Sequence, residues 1–205
     1  INTCARYAID FDGASWASSP ADFSFRNIRI ISAGSHGFYG HDGVGSFTLD
    51  NVLAESCGGK GIALIGLNDA AGESLLQGID LINVNAESNT EEDIYLERCR
   101  YVRGRIASRS SSATARDLIS LKDCQYYDLL VTAYTAPTNA AYASLAIVEA
   151  NDTVKGGAIR GSVPSIRGAG AGLPSTRFEG CQVRSGSGRN LSGTASGGSA
   201  TTLVD

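Results

Sequence analysis

The amino-acid sequence predicts an all-β fold, a right-handed parallel β-helix (solenoid) of about seven coils with no crossover helices. Three observations support this prediction. Strand-like segments recur at a spacing typical of solenoids, apolar and polar residues alternate within each segment, and no stretch of ten residues has the period of a helix. Parallel strands without crossover helices favour a coil in which each turn buries its apolar side against its neighbours.

The clearest repeat matches residues 46–64 with residues 78–96 without a gap. A third copy lies upstream, at residues 25–30, and the spacing between copies, about 20 to 30 residues, is the range expected of solenoid repeats. We therefore expect equivalent positions to lie on adjacent strands. The matched sets are Phe25, Leu49 and Leu81; Asn27, Asn51 and Asn83; Ile28, Val52 and Val84; Ile30, Ala54 and Ala86; Glu55 and Glu87; Ile62 and Ile94; and Leu64 and Leu96.

Less similar copies of one sequence motif follow downstream. Ile94, Leu96 and Cys99 recur as Ile119, Leu121 and Cys124, as Leu145, Ile147 and Ala150, and as Thr176, Phe178 and Cys181. We predict that the small side chains at the last position form a stack inside the coil. A disulfide between Cys99 and Cys124 is the alternative, because adjacent strands lie about 4.8 Å apart. The five cysteines form no CxxC pair, which disfavours a zinc site.

The alternation within each copy predicts which side chains are buried. The inward residues of one copy are Leu49, Val52 and Ala54, and the outward residues are Asp50, Leu53 and Glu55. The alternation is interrupted where a sharp corner needs a residue that tolerates the left-handed backbone conformation. These corner residues are Asn27, Asn51, Asn83 and Gly104.

The composition fits one substantial domain, with 205 residues of which 42 % are apolar. We assign residues 1–184 to the β-helix and the Gly/Ser-rich residues 185–205 to an edge or linker toward a following segment. The net charge of −4 and the scattered basic residues disfavour a nucleic-acid partner. No apolar stretch reaches the roughly 20 residues that span a bilayer. No signal peptide is recognised, and because the chain starts at Ile1 we expect a fragment or a processed chain.

Two glutamates, Glu55 and Glu87, are the first candidates for catalysis. Because they are equivalent residues of neighbouring coils, their carboxylates are expected about 5 Å apart, the separation found in retaining glycosidases. Two close carboxylates also favour a shared proton, which suits a general acid. Arg109 and Thr132 are placed in the same column. The competing interpretation is a solvated polar ladder in which Arg109 relieves the repulsion.

His41 and Asp42 are the alternative catalytic candidates, because only here does an imidazole adjoin a carboxylate in sequence. Histidine carries protons near neutral pH, and His36 lies in the same glycine-rich segment. An ordinary surface loop is the competing interpretation. The column of His41 is predicted to continue through Ile65, Glu97, Lys122, Val148 and Glu179.

Aromatic and basic side chains suggest a carbohydrate groove. Tyr39 and Tyr95 are expected in one outward column, with Ser120 beyond them. Flat apolar rings pack on sugar rings, while charged side chains bind hydroxyl and carboxylate groups. Tyr39, Tyr95, Arg109 and Lys60 are therefore the predicted substrate-binding residues. We predict no metal ligand and no cofactor.

Several segments resemble the pectate-lyase-like superfamily of right-handed parallel β-helices, and within it most of all the shaft of bacteriophage tailspikes. They are residues 8–13 (AIDFDG), 25–40 (FRNIRIISAGSHGFYG) and 93–99 (DIYLERC), and the resemblance covers the chain up to about Arg184. SHG at residues 35–37 is similar to the GHG of polygalacturonases, but the NTD, paired-aspartate and RIK elements are missing. FYGHD at residues 38–42 resembles the DPH loop of mannuronan epimerases without its proline and leading aspartate.

The resemblance implies a homotrimer, or part of a phage tail assembly, that recognises a bacterial surface polysaccharide and in some cases cleaves it. It also implies a virion or extracellular location and no insertion into a membrane. Two other functions remain open. One is a non-catalytic structural shaft or adhesin, and the other is a secreted polysaccharide lyase or epimerase whose active residues would be His41, Lys60, Tyr39 and Arg109.

Overall fold

The computed structural model describes residues 2–12, 21–43, 45–66, 76–110, 116–139, 141–148, 156–169 and 176–182. These residues form fifteen β-strands, β1 to β15 in chain order, and contain no helix. Every strand pair is parallel, so the predicted all-β fold with parallel strands is confirmed. The part of the chain that is described holds no helix long and apolar enough to cross a membrane.

Successive strands alternate between two sheets. The first sheet has the order β1-β3-β5-β7-β9-β11-β13-β15, and the second has the order β2-β4-β6-β8-β10-β12-β14. Each strand therefore pairs with the strands two places before and after it in the chain.

The strands of the first sheet are β1 (Asn2–Cys4), β3 (Ala21–Ala33), β5 (Gly45–Glu55), β7 (Leu76–Glu87), β9 (Cys99–Ser108), β11 (Asp128–Ala133), β13 (Ala158–Ser162) and β15 (Arg177–Gln182). The strands of the second sheet are β2 (Ile9–Asp12), β4 (Phe38–Gly43), β6 (Ile62–Gly66), β8 (Ile94–Glu97), β10 (Ile119–Lys122), β12 (Leu145–Val148) and β14 (Ile166–Ala169).

The register of the strands confirms the sequence repeat in both sheets. Leu49 of β5 lies opposite Phe25 of β3 on one side and Leu81 of β7 on the other. In the second sheet, Ile62 of β6 lies opposite Ile94 of β8. The gapless alignment of the copies is therefore the hydrogen-bonded register of the strands.

The apolar residues of the two sheets meet in one core. Leu49, Val52 and Ala54 are buried as predicted, whereas Asp50 and Leu53 between them are partly exposed. Burial of this kind stabilises a fold by about 25 cal/mol for each Å² of apolar surface removed from water. The largest fully buried side chains are Phe38, Phe47, Ile30, Leu49, Ile62, Leu64, Leu76, Ile79, Leu81, Ile94, Leu96 and Ile106.

Asparagine occupies the corners of three strands in the first sheet, as predicted. The φ angles of Asn27, Asn51 and Asn83 are 55°, 55° and 54°. Asn51 Nδ2 also donates a hydrogen bond of 2.9 Å to Asn27 Oδ1 on the adjacent strand. Gly104, with a φ of 131°, lies where the register between β7 and β9 shifts. These residue types stand at these corners because they tolerate positive φ best.

The predicted copy formed by Thr176, Phe178 and Cys181 was wrong. Phe178 of β15 lies opposite Ile159 of β13, in the first sheet rather than the second. The strand that follows β12 in the second sheet is β14. Because strands of both sheets bury alternate apolar residues, this sequence motif does not identify the sheet to which a strand belongs.

Two residues that the sequence placed by similar patterns also lie elsewhere. Glu179 lies opposite Arg160 in the first sheet, not in the column of His41. Thr132 lies opposite Ala107 and is therefore two positions away from the level of Arg109. β9 and β11 pair without a register shift, and their sequences share too few residues for an alignment to fix that register.

Cys99 and Cys124 are buried free cysteines, so the disulfide alternative was wrong and the predicted stack is confirmed for this pair. Cys99 Sγ donates a hydrogen bond of 3.5 Å to Leu64 O of β6, and burial raises the pKa of its thiol well above the ordinary value. Ala150 and the side chain of Cys181 lie outside the described residues. The predicted linker at residues 185–205 lies outside them as well.

Candidate functional site

The outer face of the second sheet carries a continuous group of aromatic and charged side chains. Residues alternate between the two faces of a strand, so positions 39 and 41 of β4 point away from the core on the same side. Residues of the segments before each strand extend the surface. We call it the aromatic face, and it comprises Tyr7, Asp10, His36, Tyr39, His41, Lys60, Tyr95, Glu97 and Lys122.

Four rings form a packed cluster centred on Tyr39. The Tyr39 ring stacks on Tyr7 with centroids 5.2 Å apart and on His41 with centroids 4.3 Å apart. His36 packs beside it at 4.9 Å. Ala63 of β6, which lies opposite both Tyr39 and Tyr95, confirms the predicted tyrosine column and separates the two rings by one strand.

His41 has a carboxylate partner on the adjacent strand. His41 Nε2 lies 3.1 Å from Asp10 Oδ1 of β2. The side chain of Asp42 lies outside the described residues. The contact with Asp10 and the stacking on Tyr39 fix the orientation of the His41 ring.

His36 is held as a neutral ring by the backbone. Lys60 N donates a hydrogen bond of 2.8 Å to His36 Nδ1, so Nδ1 is an acceptor and the ring proton resides on Nε2. Burial, assisted by the positive charge of Lys60, lowers the pKa of His36 below its ordinary value of 6.5.

The lowered pKa of His36 predicts how stability depends on pH. Below pH 6.5 the unfolded chain binds a proton that the folded chain does not, so the free energy of unfolding falls as the pH falls through this window. We expect urea denaturation of His36→Asn, whose Oδ1 can replace Nδ1 as acceptor, to lose part of this slope between about pH 5 and pH 7. An unchanged slope would show that His36 does not cause it.

Lys60 lies between the aromatic cluster and an acidic segment. Its Nζ binds Glu91 at 2.6 Å and Glu92 at 3.1 Å, and it lies 4.7 Å from the centroid of the Tyr95 ring. Burial lowers the pKa of Lys60, but the hydrogen bond with Glu91 and the charge of Glu92 outweigh it and raise the pKa above its usual value. Lys60 is therefore a fixed cation rather than a base.

Glu97 collects donors from three side chains. Tyr95 Oη donates to Glu97 Oε2 at 2.5 Å, while Arg98 and Lys122 bind Oε1 at 2.7 Å and 3.0 Å. Burial raises the pKa of Glu97, but these hydrogen bonds and charges lower it below its usual range. Burial and the bond to Glu97 raise the pKa of Tyr95. Tyr95 is thus a neutral ring in a fixed orientation.

A shallow cavity of about 370 Å³ adjoins the aromatic face. It contains acidic and basic groups together with one tyrosine ring, so it can accept a polar ligand that both donates and accepts hydrogen bonds. Its lining residues are Lys60, Thr90, Glu91, Glu92, Arg116, Asp117 and Tyr142.

The predicted glutamate pair lies on the first sheet, away from the strands that carry the aromatic face. Glu55 and Glu87 are opposite each other in β5 and β7, as predicted. Glu55, however, binds Arg29 of β3 at 3.2 Å. Arg109 follows β9 at the level of Glu87, where its N donates a hydrogen bond of 2.9 Å to Ala86 O.

The structure thus brings four predicted residues together and leaves three elsewhere. His41, Tyr39, Tyr95 and Lys60 share the aromatic face, whereas Glu55, Glu87 and Arg109 do not. Sequence reasoning missed Asp10 and Tyr7. The segment AIDFDG carried a usable signal, because aligning its Ile9 with Phe38 would have placed Asp10 opposite Tyr39.

Comparisons with protein-family models, with curated proteins and with solved structures gave no significant match. Within the described ranges, no group of three or more His, Cys, Asp or Glu side chains is placed to hold a metal ion. A functional proposal for this chain therefore rests on the geometry of the aromatic face.

Proposed function

We propose that this chain is a right-handed parallel β-helix of seven coils, of the kind found in bacteriophage tailspikes, whose aromatic face binds a bacterial surface polysaccharide. The alternation of strands between two parallel sheets supports the coil, with one strand of each sheet in every turn. Right-handed crossover between parallel strands is the strongly preferred hand. A trimeric assembly on a virion belongs to the same proposal.

The observation that carries the proposal is the ring cluster around Tyr39. Its stacked rings are held in place by neighbours, so little conformational entropy is lost when a ligand packs against them. Lys60, Glu97 and Asp10 surround the rings with fixed hydrogen-bonding groups. Flat apolar rings bordered by oriented polar groups match a sugar ring, which has apolar faces and a polar rim.

Binding to immobilised bacterial capsular and O-antigen polysaccharides tests the proposal. We expect Tyr39→Ala to weaken binding by about twofold to tenfold or more, because a ring contact contributes about 0.5–1.5 kcal/mol beyond the area it buries. Tyr39→Phe retains the ring and should bind as the wild type does. Tyr134→Ala, at a tyrosine that is 63 % exposed and remote in sequence, is the matched control.

The other outcomes identify the alternative functions. If a folded wild-type protein binds no polysaccharide of the panel, the proposal is wrong and a structural shaft is favoured. A rise in ultraviolet absorbance during incubation with an acidic polysaccharide, abolished in His41→Gln, would instead identify a lyase that uses the His41–Asp10 pair.

A further inference from the structure

A second aromatic surface, which we call the tyrosine ledge, consists of Tyr101 and Tyr126. Their rings stack with centroids 5.2 Å apart and an interplanar angle of 11°. The two side chains are 52 % and 38 % exposed, respectively. They lie on adjacent levels of the first sheet, because Arg100 and Gln125, the residues before them, form a parallel bridge.

The backbone at the ledge favours other residue types. Tyr101 and Tyr126 have φ angles of 56° and 53°, in the left-handed region that disfavours bulky side chains. At the equivalent position of β7 stands Gly78, with a φ of 69°. The backbone conformation alone would therefore be served better by glycine or asparagine at these two positions.

The ledge continues the aromatic face around a corner of the chain. Glu97 and Lys122, which end β8 and β10, precede Tyr101 and Tyr126 by four residues on the same two levels. The path from Tyr95 to Tyr101 measures at most about 20 Å even if fully extended. An extended ligand can therefore contact both surfaces.

Polar groups accompany the rings. The Arg100 guanidinium lies 5.9 Å and 6.0 Å from the centroids of Tyr101 and Tyr126, and its Nη2 donates to Gln125 Oε1 at 2.8 Å. Among the described residues, a Cβ atom added to Gly78 would meet only Ser46 Cβ within 4 Å. The ledge thus offers a flat apolar surface beside a fixed donor group.

We propose that the tyrosine ledge is a second binding site for the same polysaccharide, so that the ligand is an oligosaccharide long enough to reach around the corner from Tyr95 to Tyr101. This inference rests on the proposed function of the aromatic face. The protein would then bind an internal stretch of a polymer, with an affinity that depends on its length, rather than a single terminal sugar.

Size-fractionated fragments of a polysaccharide that the wild type binds provide the test. Wild-type affinity should rise with fragment length until the fragment reaches both surfaces. The double variant Tyr101→Asn/Tyr126→Asn should bind short fragments like the wild type and long fragments about tenfold more weakly. Its melting temperature should not fall, because asparagine tolerates the left-handed backbone. The double variant with phenylalanine at both positions should keep wild-type affinity, and Tyr134→Asn is the matched control.

The inference is overturned if the asparagine variant binds long fragments as tightly as the wild type does. It is also overturned if the variant loses the same factor in affinity for short and for long fragments. A lower melting temperature, together with no recovery of affinity in the phenylalanine variant, would also overturn it. Failure of the proposed function is distinguishable, because Tyr39→Ala would then leave the binding of short fragments unchanged.

Discussion

Asp93→Ala will lower the free energy of unfolding by about 3–5 kcal/mol, the cost of removing one member of a buried charged network. Asp93 is fully buried and immediately precedes β8. Its Oδ2 accepts hydrogen bonds from Ser108 Oγ at 2.5 Å and from Ser110 Oγ at 2.6 Å, and its Oδ1 accepts one from Asn89 Nδ2 at 2.9 Å. Removal of the carboxylate leaves these buried donors without an acceptor.

The network also connects distant parts of the chain, which adds to the expected effect. Asn89 Oδ1 accepts a hydrogen bond of 2.9 Å from Cys57 N, so loss of the Asp93 contact disturbs the segment after β5. Arg116 Nη2 lies 3.9 Å from Asp93 Oδ1 and would lose a nearby negative charge. Asp93→Asn, which retains the shape and one acceptor, should lose less than Asp93→Ala.

Urea denaturation with a constant m-value is the measurement, and Asp128→Ala is the control. Asp128 also binds an arginine, Arg160, but its side chain is 58 % exposed. An exposed pair contributes about 0–1 kcal/mol, so the control variant should remain close to the wild type. Equal losses in the two variants would show that burial of the Asp93 network is not the cause.

Gly104→Ala is expected to have the second largest effect, a loss of roughly 3 kcal/mol or more in the free energy of unfolding. A Cβ atom at Gly104 would lie 2.0 Å from Leu81 O and 2.7 Å from Leu81 C. These are backbone atoms of the paired strand β7, which cannot move without breaking the sheet. The φ of 131° is also one that side chains rarely adopt.

Gly78→Ala provides the comparison for Gly104→Ala. Within the part of the chain that is described, its added Cβ would meet only the Ser46 side chain, at 3.3 Å, although its φ is also positive. We expect a loss of about 1 kcal/mol, the usual cost of placing a side chain in the left-handed region. Thermal and urea denaturation of both variants would contradict the argument if Gly78→Ala proved the more destabilised.

The sequence repeat predicts the register of the strands, and the register predicts the positions of several residues of the candidate site. Once residues 46–64 are matched with residues 78–96, and the upstream copy is aligned with them, the strand period of two places Tyr39, Tyr95 and His41 outward on one sheet. The same alignment places Asn27 and Asn51 at equivalent corners. These positions depend only on the spacing of residues along the strands, so a sequence repeat is enough to predict them.

Side-chain partners, in contrast, depend on how far each side chain reaches across neighbouring strands. His41 pairs with Asp10, a residue 31 positions away in the sequence, because β2 and β4 are adjacent strands of the second sheet. Glu55 pairs with Arg29 rather than Arg109, because a long guanidinium side chain reaches diagonally across the sheet. Neither pairing can be read from the aligned positions of the sequence repeat.

The sequence by itself determined the pairing of β3, β5 and β7 and of β6, β8, β10 and β12, together with the inward apolar residues of the matched copies. It also determined the left-handed corners at Asn27, Asn51, Asn83 and Gly104. Only the tertiary structure decided that β15 returns to the first sheet and that Glu55 and Glu87 lie apart from the aromatic face. The physical reason is that period and turn chemistry act between neighbours in the chain. Assignment to a sheet, and pairing of charges, result from packing between segments that are more than twenty residues apart.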